Sequence, residues 1–322
     1  TEDNNSTVSN DSNETANVPA AITDTGCERE LNEDRYAVVD SRSGLAWIVC
    51  DGMGGVSGGE LAAQLAIDAL RRDLENLPAR PAQSALRSAI LEANRVIVLR
   101  RQNPAFSSMG TTIVSALFQG SEVIIGSVGD SRAYMVREGA IQQLSVDHTY
   151  VQGLVEKGEI QPEEALTHPQ AHVLTRCIGA EPGLEVDIKQ YWLWPQTSSK
   201  DSLVLVTDGL YSHVHDIEIA TIVSENSPQR ACVKLVELAK ERGGFDNITV
   251  AVIPLPGELK KEKPEGLGLS SSTIFAEVVT KTSPLDFSWV KDSMPIIGLA
   301  WIVLSFLFVL LVGVLMLIAI VK

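Results

Sequence analysis

The sequence predicts an α+β domain built in layers, with mainly antiparallel sheets. Two observations carry this. Short segments rich in β-branched residues follow one another with hairpin-like breaks, as at Gln119-Gly120-Ser121 and Gly129-Asp130-Ser131. Segments with apolar residues at three- and four-residue spacing come in pairs rather than after every strand. Helices and strands segregated in this way belong to stacked layers, not to a doubly wound sheet.

In chain order, residues 1–20 form the first region. Its opening stretch, TEDNNSTVSNDSNETANV, has no aromatic residue and almost no apolar one. Such a segment cannot offset the entropy of ordering itself, so a disordered tail is expected. It lacks the basic start and apolar stretch of a secretory signal. Its serines and threonines would also suit a phosphorylation or docking tail.

Residues 21–256 are assigned to the domain. Tyr36–Val39, Leu45–Cys50, Thr111–Phe118, Glu122–Ser127, Arg132–Arg137, Leu203–Thr207 and Asn247–Ile253 read as strands. Glu60–Leu77, Gln83–Arg101, Asp216–Ser224 and Gln229–Arg242 read as helices.

Residues 257–294 contain KKEKPEG, GLGLSSST and KTSPLD, the composition of a flexible spacer. Within it, Ile274–Val279 is short and apolar, and a docking segment is the alternative reading there. Ile296–Val321 is a run of 26 residues without a charge. A helix of this length spans roughly 39 Å at ~1.5 Å per residue, enough for a ~30 Å hydrocarbon layer with some tilt. Residues 295–321 are therefore expected to form a transmembrane helix, with Lys322 after it and a tail-anchored arrangement implied. Lys281, Lys291 and Lys322 give only a weak charge bias for its orientation.

The whole chain has 322 residues, 26 Lys and Arg against 41 Asp and Glu, and a net charge of −15. Its 45% of apolar residues suffices for a core. The acidic balance argues against nucleic acid as a partner, since phosphate backbones call for a basic face. Cys27, Cys50, Cys177 and Cys232 are far apart and form no C-x-x-C pair. Free thiols in a reducing compartment follow, and with the missing signal they favour a cytoplasmic domain.

Acidic residues recur where strands stop. Asp34 precedes Tyr36–Val39, Asp51 follows LAWIVC, Asp130 follows IIGSVG, Asp208 follows LVLVT, and Asp246 precedes NITVAVI. One by one these are ordinary turn residues. Collected on one sheet rim they would make an oxygen-rich cluster suited to Mg or Mn, which prefer octahedral oxygen ligation and keep several waters. Glycines after Asp51, in Asp51-Gly-Met-Gly-Gly55, would let the backbone approach such an ion closely.

The order of motifs resembles the metal-dependent protein Ser/Thr phosphatases, the PPM or protein phosphatase 2C family, in its bacterial form. The resemblance rests on Arg29-Glu-Leu-Asn-Glu-Asp34, Asp51-Gly-Met-Gly-Gly55, Gly110-Thr-Thr112 and Val128-Gly-Asp-Ser-Arg-Ala-Tyr134. It continues through Leu144-Ser-Val-Asp-His-Thr149, Leu174-Thr-Arg-Cys-Ile-Gly179, Thr207-Asp-Gly209 and Asp246-Asn-Ile-Thr249. Each is weak alone, and eight in the family's order are specific. The resemblance implies a four-layer α-β-β-α sandwich with a flap subdomain at about 149–173.

It also implies a site. Asp51 would bridge two metal ions, the Gly52 carbonyl would ligate one, and Asp208 and Asp246 the other. Glu33 and Asp34 match the acidic pair that holds a metal or its waters. Asp130, with Asp208, matches a third metal site found in bacterial members. Arg29 matches the phosphate-binding arginine, whose guanidinium grips two oxygens at once. The catalytic set so implied is Arg29, Asp34 and Asp51, with Mn or Mg as cofactor, two ions and often a third. The expected function is hydrolysis of phosphoserine and phosphothreonine proteins by a metal-activated water, opposing a bacterial Ser/Thr kinase at the membrane. The domain itself is expected to be monomeric. Two family positions depart: Met53 and Val56 stand where some members carry histidine. His148, His168 and His172 are then the candidate proton donors, whereas Asp147 and Ser131 are expected to serve their own turns. The competing readings are a non-catalytic phosphoprotein-binding module and a two-metal hydrolase of another phosphoester.

Overall fold

The computed structural model describes residues 18–55, 58–193 and 201–255. The tail to residue 17, the spacer and the apolar run at 296–321 lie outside the described residues. Among the described residues no helix is long and apolar enough to cross a membrane.

Among the described residues, ten strands form two five-stranded antiparallel sheets. The first has the order β1 (Ala20–Asp24), β12 (Ile248–Pro254), β11 (Ser202–Val206), β8 (Arg132–Arg137), β9 (Ala140–Gln143). The second has the order β10 (Asp187–Trp192), β7 (Glu122–Val128), β6 (Ile113–Gln119), β3 (Gly44–Cys50), β2 (Arg35–Ser41). A two-residue ladder joins β4 (Gly52–Met53) to β5 (Gly110–Thr111).

Strand alternation builds three cores at once, because successive side chains point to opposite faces. On β3, Ala46, Ile48 and Cys50 join the core under helices α1 (Gly58–Asn76) and α2 (Ala82–Arg100). Trp47 and Val49, the residues between them, join the core between the sheets. On β11, Leu203 and Leu205 face the other sheet, while Val204 and Val206 face α6 (Asp216–Glu225) and α7 (Pro228–Glu241). Two helix pairs outside two facing sheets give the expected layering. Alanines at Ala62, Ala66, Ala85, Ala89 and Ala93 let the α1–α2 pair lie close on its sheet.

The structure adds elements that periodicity did not mark. β10 reads DIKQYW, a polar edge strand with no apolar alternation, yet it pairs along β7 from Asp187↔Ser127 to Trp192↔Glu122. β1 begins at Ala20, so the domain takes in the last residue of the predicted tail. Thr111 pairs with Gly52 rather than opening β6. Residues 149–173 carry α3 (Tyr150–Glu156) and α4 (Pro162–Ala165), and the short α5 (Asp208–Tyr211) follows β11. All four cysteines are free thiols.

Candidate active site

The five aspartates meet on one rim where the two sheets approach. Asp51 leaves β3 and Asp34 enters β2, and these ends are neighbours because Arg35 pairs with Cys50. Asp208 leaves β11, Asp246 lies just before β12, and Asp130 lies between β7 and β8.

Asp34 is fully buried. Its Oδ2 accepts hydrogen bonds from the hydroxyls of Thr207 at 2.8 Å and Thr249 at 2.7 Å. Its Oδ1 is buried without a partner. Burial pushes the Asp34 carboxyl up to about 7, against the two hydroxyl bonds and with help from Asp208 and Asp246. Asp51 is held by its backbone: its N–H donates to Thr112 Oγ1 at 3.0 Å, and its carbonyl accepts from Thr112 N–H and Thr111 Oγ1, both at 2.8 Å. Desolvation and four carboxylates, those of Asp34, Asp208, Asp130 and Asp246, drive its pKa well above the usual range. Burial and Asp208 likewise take Asp130 to about 8.

Asp246 Oδ2 pairs with the Arg29 guanidinium at 2.8 Å, and its Oδ1 accepts from Asn247 N–H at 2.8 Å. Asn247 fastens the arginine's loop. It accepts from Glu33 N–H at 2.7 Å and donates to the carbonyls of Thr25 and Leu31 at 2.9 and 3.0 Å. Arg29 keeps 49% of its side chain exposed, so it can reach a ligand from solvent.

Gly52 and Gly59 touch back to back. A Cβ on Gly52 would sit 2.1 Å from the Gly59 carbonyl oxygen, and one on Gly59 would sit 2.6 Å from Glu33 Oε1. The contact lets the Gly59 N–H donate to Glu33 Oε1 at 3.2 Å. Gly52→Ala is therefore expected to cost about 2–3 kcal/mol of stability, as overpacking against immovable backbone does. A urea-unfolding midpoint lowered at unchanged slope checks it.

The histidines separate. His172 Nδ1 lies 3.2 Å from Asp208 Oδ2, whose hydrogen bond raises the imidazole's pKa. His168 Nδ1 accepts from Gln170 N–H in its own exposed turn. His148 is buried, with Nδ1 on the Gly129 N–H at 3.0 Å. Asp147 does more than serve its turn: it takes three Arg132 hydrogen bonds of 2.7–3.1 Å, and that guanidinium stacks 3.7 Å over Tyr211. Tyr211 in turn donates to the Asp130 carbonyl at 3.0 Å. Ser131 Oγ meets Thr112 Oγ1 at 2.6 Å, tying Asp130's turn to the strand that holds Asp51.

The rim fits a divalent cation by its chemistry. Buried like charges raise one another's pKa, and Oδ1 of Asp34 and of Asp208 are buried without partners. A hard cation would satisfy both conditions. Among the described residues no three acidic, His or Cys side chains form a cage for one ion by themselves. Thr207, Thr249 and Asn247 are supports of the site that the motif pattern does not mark. The signal for them is a hydroxyl or amide beside each acidic strand end.

The protein phosphatase 2C family profile matches residues 27–236. The serine/threonine phosphatase stp of Listeria monocytogenes is 36% identical over 238 residues, 72% of this chain and 93% of that protein. The crystal structure of the Mycobacterium tuberculosis serine/threonine phosphatase PstP/Ppp superposes with a TM-score of 0.67 at 34% identity. It covers 74% of this chain and 98% of that one. The catalytic domain of PstP in complex with two manganese ions matches at 33% identity and a TM-score of 0.64, over 73% and 96% of the two chains. A family match over residues 27–236, with relatives at this identity and coverage, leaves one conclusion: the chain belongs to the protein phosphatase 2C family.

Proposed function

We propose that the chain is a metal-dependent protein serine/threonine phosphatase that hydrolyses phosphoserine and phosphothreonine without a covalent enzyme intermediate. The observation that carries it is the convergence of Asp34, Asp51, Asp130, Asp208 and Asp246 beside an exposed Arg29 held by Asp246. Asp51, the Gly52 carbonyl, Asp208, Asp246, Glu33 and Asp34 would hold two Mn or Mg ions, and Asp130 with Asp208 a third. Bound there, such ions lower the pKa of coordinated water and neutralise phosphoryl oxygens. Arg29 would bind the phosphate through two N–H groups and orient it. Asp246 fixes the guanidinium in advance, so little rotamer freedom is lost on binding. Thr207 and Thr249 keep the Asp34 carboxylate in one orientation. His172, paired with Asp208, would be the candidate proton donor to the leaving oxygen.

The apolar run at 296–321 would tether the domain to a membrane, with the bulk cytoplasmic. Substrates would then lie at that surface, a Ser/Thr kinase among them. Sedimentation with membranes that persists at high salt and is lost on deleting residues 295–322 would support the tether.

The test is phosphate release from a phosphothreonine peptide with Mn, with Mg and with chelator. Release that needs the metal supports the reading, and a metal-loaded folded protein that releases none favours a binding module. Arg29→Lys should raise KM for the peptide about tenfold with a smaller change in kcat, since a point charge replaces a two-pronged grip. Unchanged KM in a steady-state titration would remove Arg29 from the phosphate site.

A further inference from the structure

We propose that His148 is a positioning residue that clamps the Gly129–Asp130 turn from the flap side, through a single fixed tautomer of its ring. The proposal rests on the reading of Asp130 as a residue of the site.

Two hydrogen bonds form the clamp. The Gly129 N–H donates to His148 Nδ1 at 3.0 Å, and the His148 N–H donates to the Gly129 carbonyl at 2.9 Å. The turn cannot slip away on its other side. Gly129 has φ +100°, and a Cβ there would sit 2.6 Å from Thr112 Cγ2. Thr112 is the residue that binds the Asp51 backbone through both its N–H and its hydroxyl. The turn that presents Asp130 is thus wedged between the imidazole and the support of Asp51.

An Nδ1 that accepts must be unprotonated, so the neutral ring carries its proton on Nε2. Nε2 lies 3.3 Å from Asp187 Oδ2. Arg176 holds Asp187 on the far side at 2.9 Å. A carboxylate facing Nε2 favours the proton there, and so favours the tautomer that Gly129 requires. Burial and Arg176 also hold the imidazole below its usual range, which keeps it neutral.

The same residue is tied to the flap. The His148 carbonyl accepts from Thr175 N–H at 2.8 Å, and the next residue, Thr149, caps α3 through its hydroxyl on Gln152 N–H at 3.2 Å. A shift of residues 149–175 therefore reaches the Asp130 turn through one residue, by its ring and by its backbone N–H. A histidine that merely filled core volume would not need a particular tautomer.

The test compares His148→Asn, His148→Gln and His148→Ala in the full chain. The Asn oxygen falls near the place of Nδ1, and the longer Gln side chain overshoots it. His148→Asn should keep kcat within about threefold of the parent per folded molecule. Gln and Ala should lose about tenfold or more in kcat, with KM within about twofold. Amide NMR shifts of Gly129 and Asp130 should move in Gln and Ala and hold in Asn. ¹⁵N-histidine spectra of the parent should show Nδ1 unprotonated. Parental kcat in His148→Ala, a uniform loss in all three, or a protonated Nδ1 overturns the clamp. Asp130→Ala runs in parallel. If it keeps full turnover, the reading of Asp130 fails, and the amide shifts and tautomer alone decide for or against the clamp.

Discussion

Asp51→Asn is expected to lose at least about a thousandfold in turnover while raising the melting temperature of the metal-free chain by about 3 °C or more. Both effects come from one cause. Asp51 stands among Asp34, Asp208, Asp130 and Asp246, in a place where desolvation and repulsion act together against its charge. An amide of the same shape removes that repulsion and leaves the support of the backbone intact, because Thr111 and Thr112 hold Asp51 through main-chain atoms. The carboxylate is thus unfavourable to the fold by itself and is needed only when cations are bound, the usual trade of stability for activity. Saturating Mn should reverse the order, stabilising the parent more than the variant by mass action. Phosphate release and thermal melts in chelator and in Mn check both halves. A metal-free variant that melts lower than its parent would mean that Asp51 does not sit in a repulsive cluster.

What the sequence made legible divides along physical lines. LAWIVC and LVLVT, each followed at once by Asp-Gly, marked Asp51 and Asp208, because a buried strand ending in a carboxylate is a local pattern. Helices α1 and α2 were legible from the spacing of Ala and Leu. The supports of the site were not, because they depend on which strands become neighbours. Thr207 and Thr249 reach Asp34 from 173 and 215 residues away. His148 finds Gly129 only after β8 and β9 have turned back. The close contact of Gly52 with Gly59 spans the entry to α1. β10 gave no signal because an edge strand beside solvent needs no apolar alternation.

The metal-free chain should lose stability steadily as pH rises from about 4 to about 8, and Mn should abolish the loss. Asp34 titrates near 7 and Asp130 near 8 when folded, against an ordinary value of 3.8 for both. Between those limits the unfolded carboxylates have released their protons and the folded ones have not. Folding then takes up protons, so each rise in pH favours the unfolded state. The contribution is absent below the ordinary value and complete above the folded one, which sets the window. Pairs of the opposite kind lie outside it. Arg242 holds Glu218 down to about 2 from 4.5, so its stabilisation is lost only as pH falls through the acid range. A divalent cation takes the place of those protons, so the protection it gives should grow with pH over the same interval. Thermal melts from pH 4.5 to 8.5, with chelator and with Mn, read this directly. Asp34→Asn combined with Asp130→Asn should make the chelator curve less steep, leaving the slope contributed by Asp51 and Asp246. A metal-free melting temperature that stays level or climbs toward pH 8 would show that these carboxylates ionise freely in the fold, and the cluster would then have no special demand for a cation.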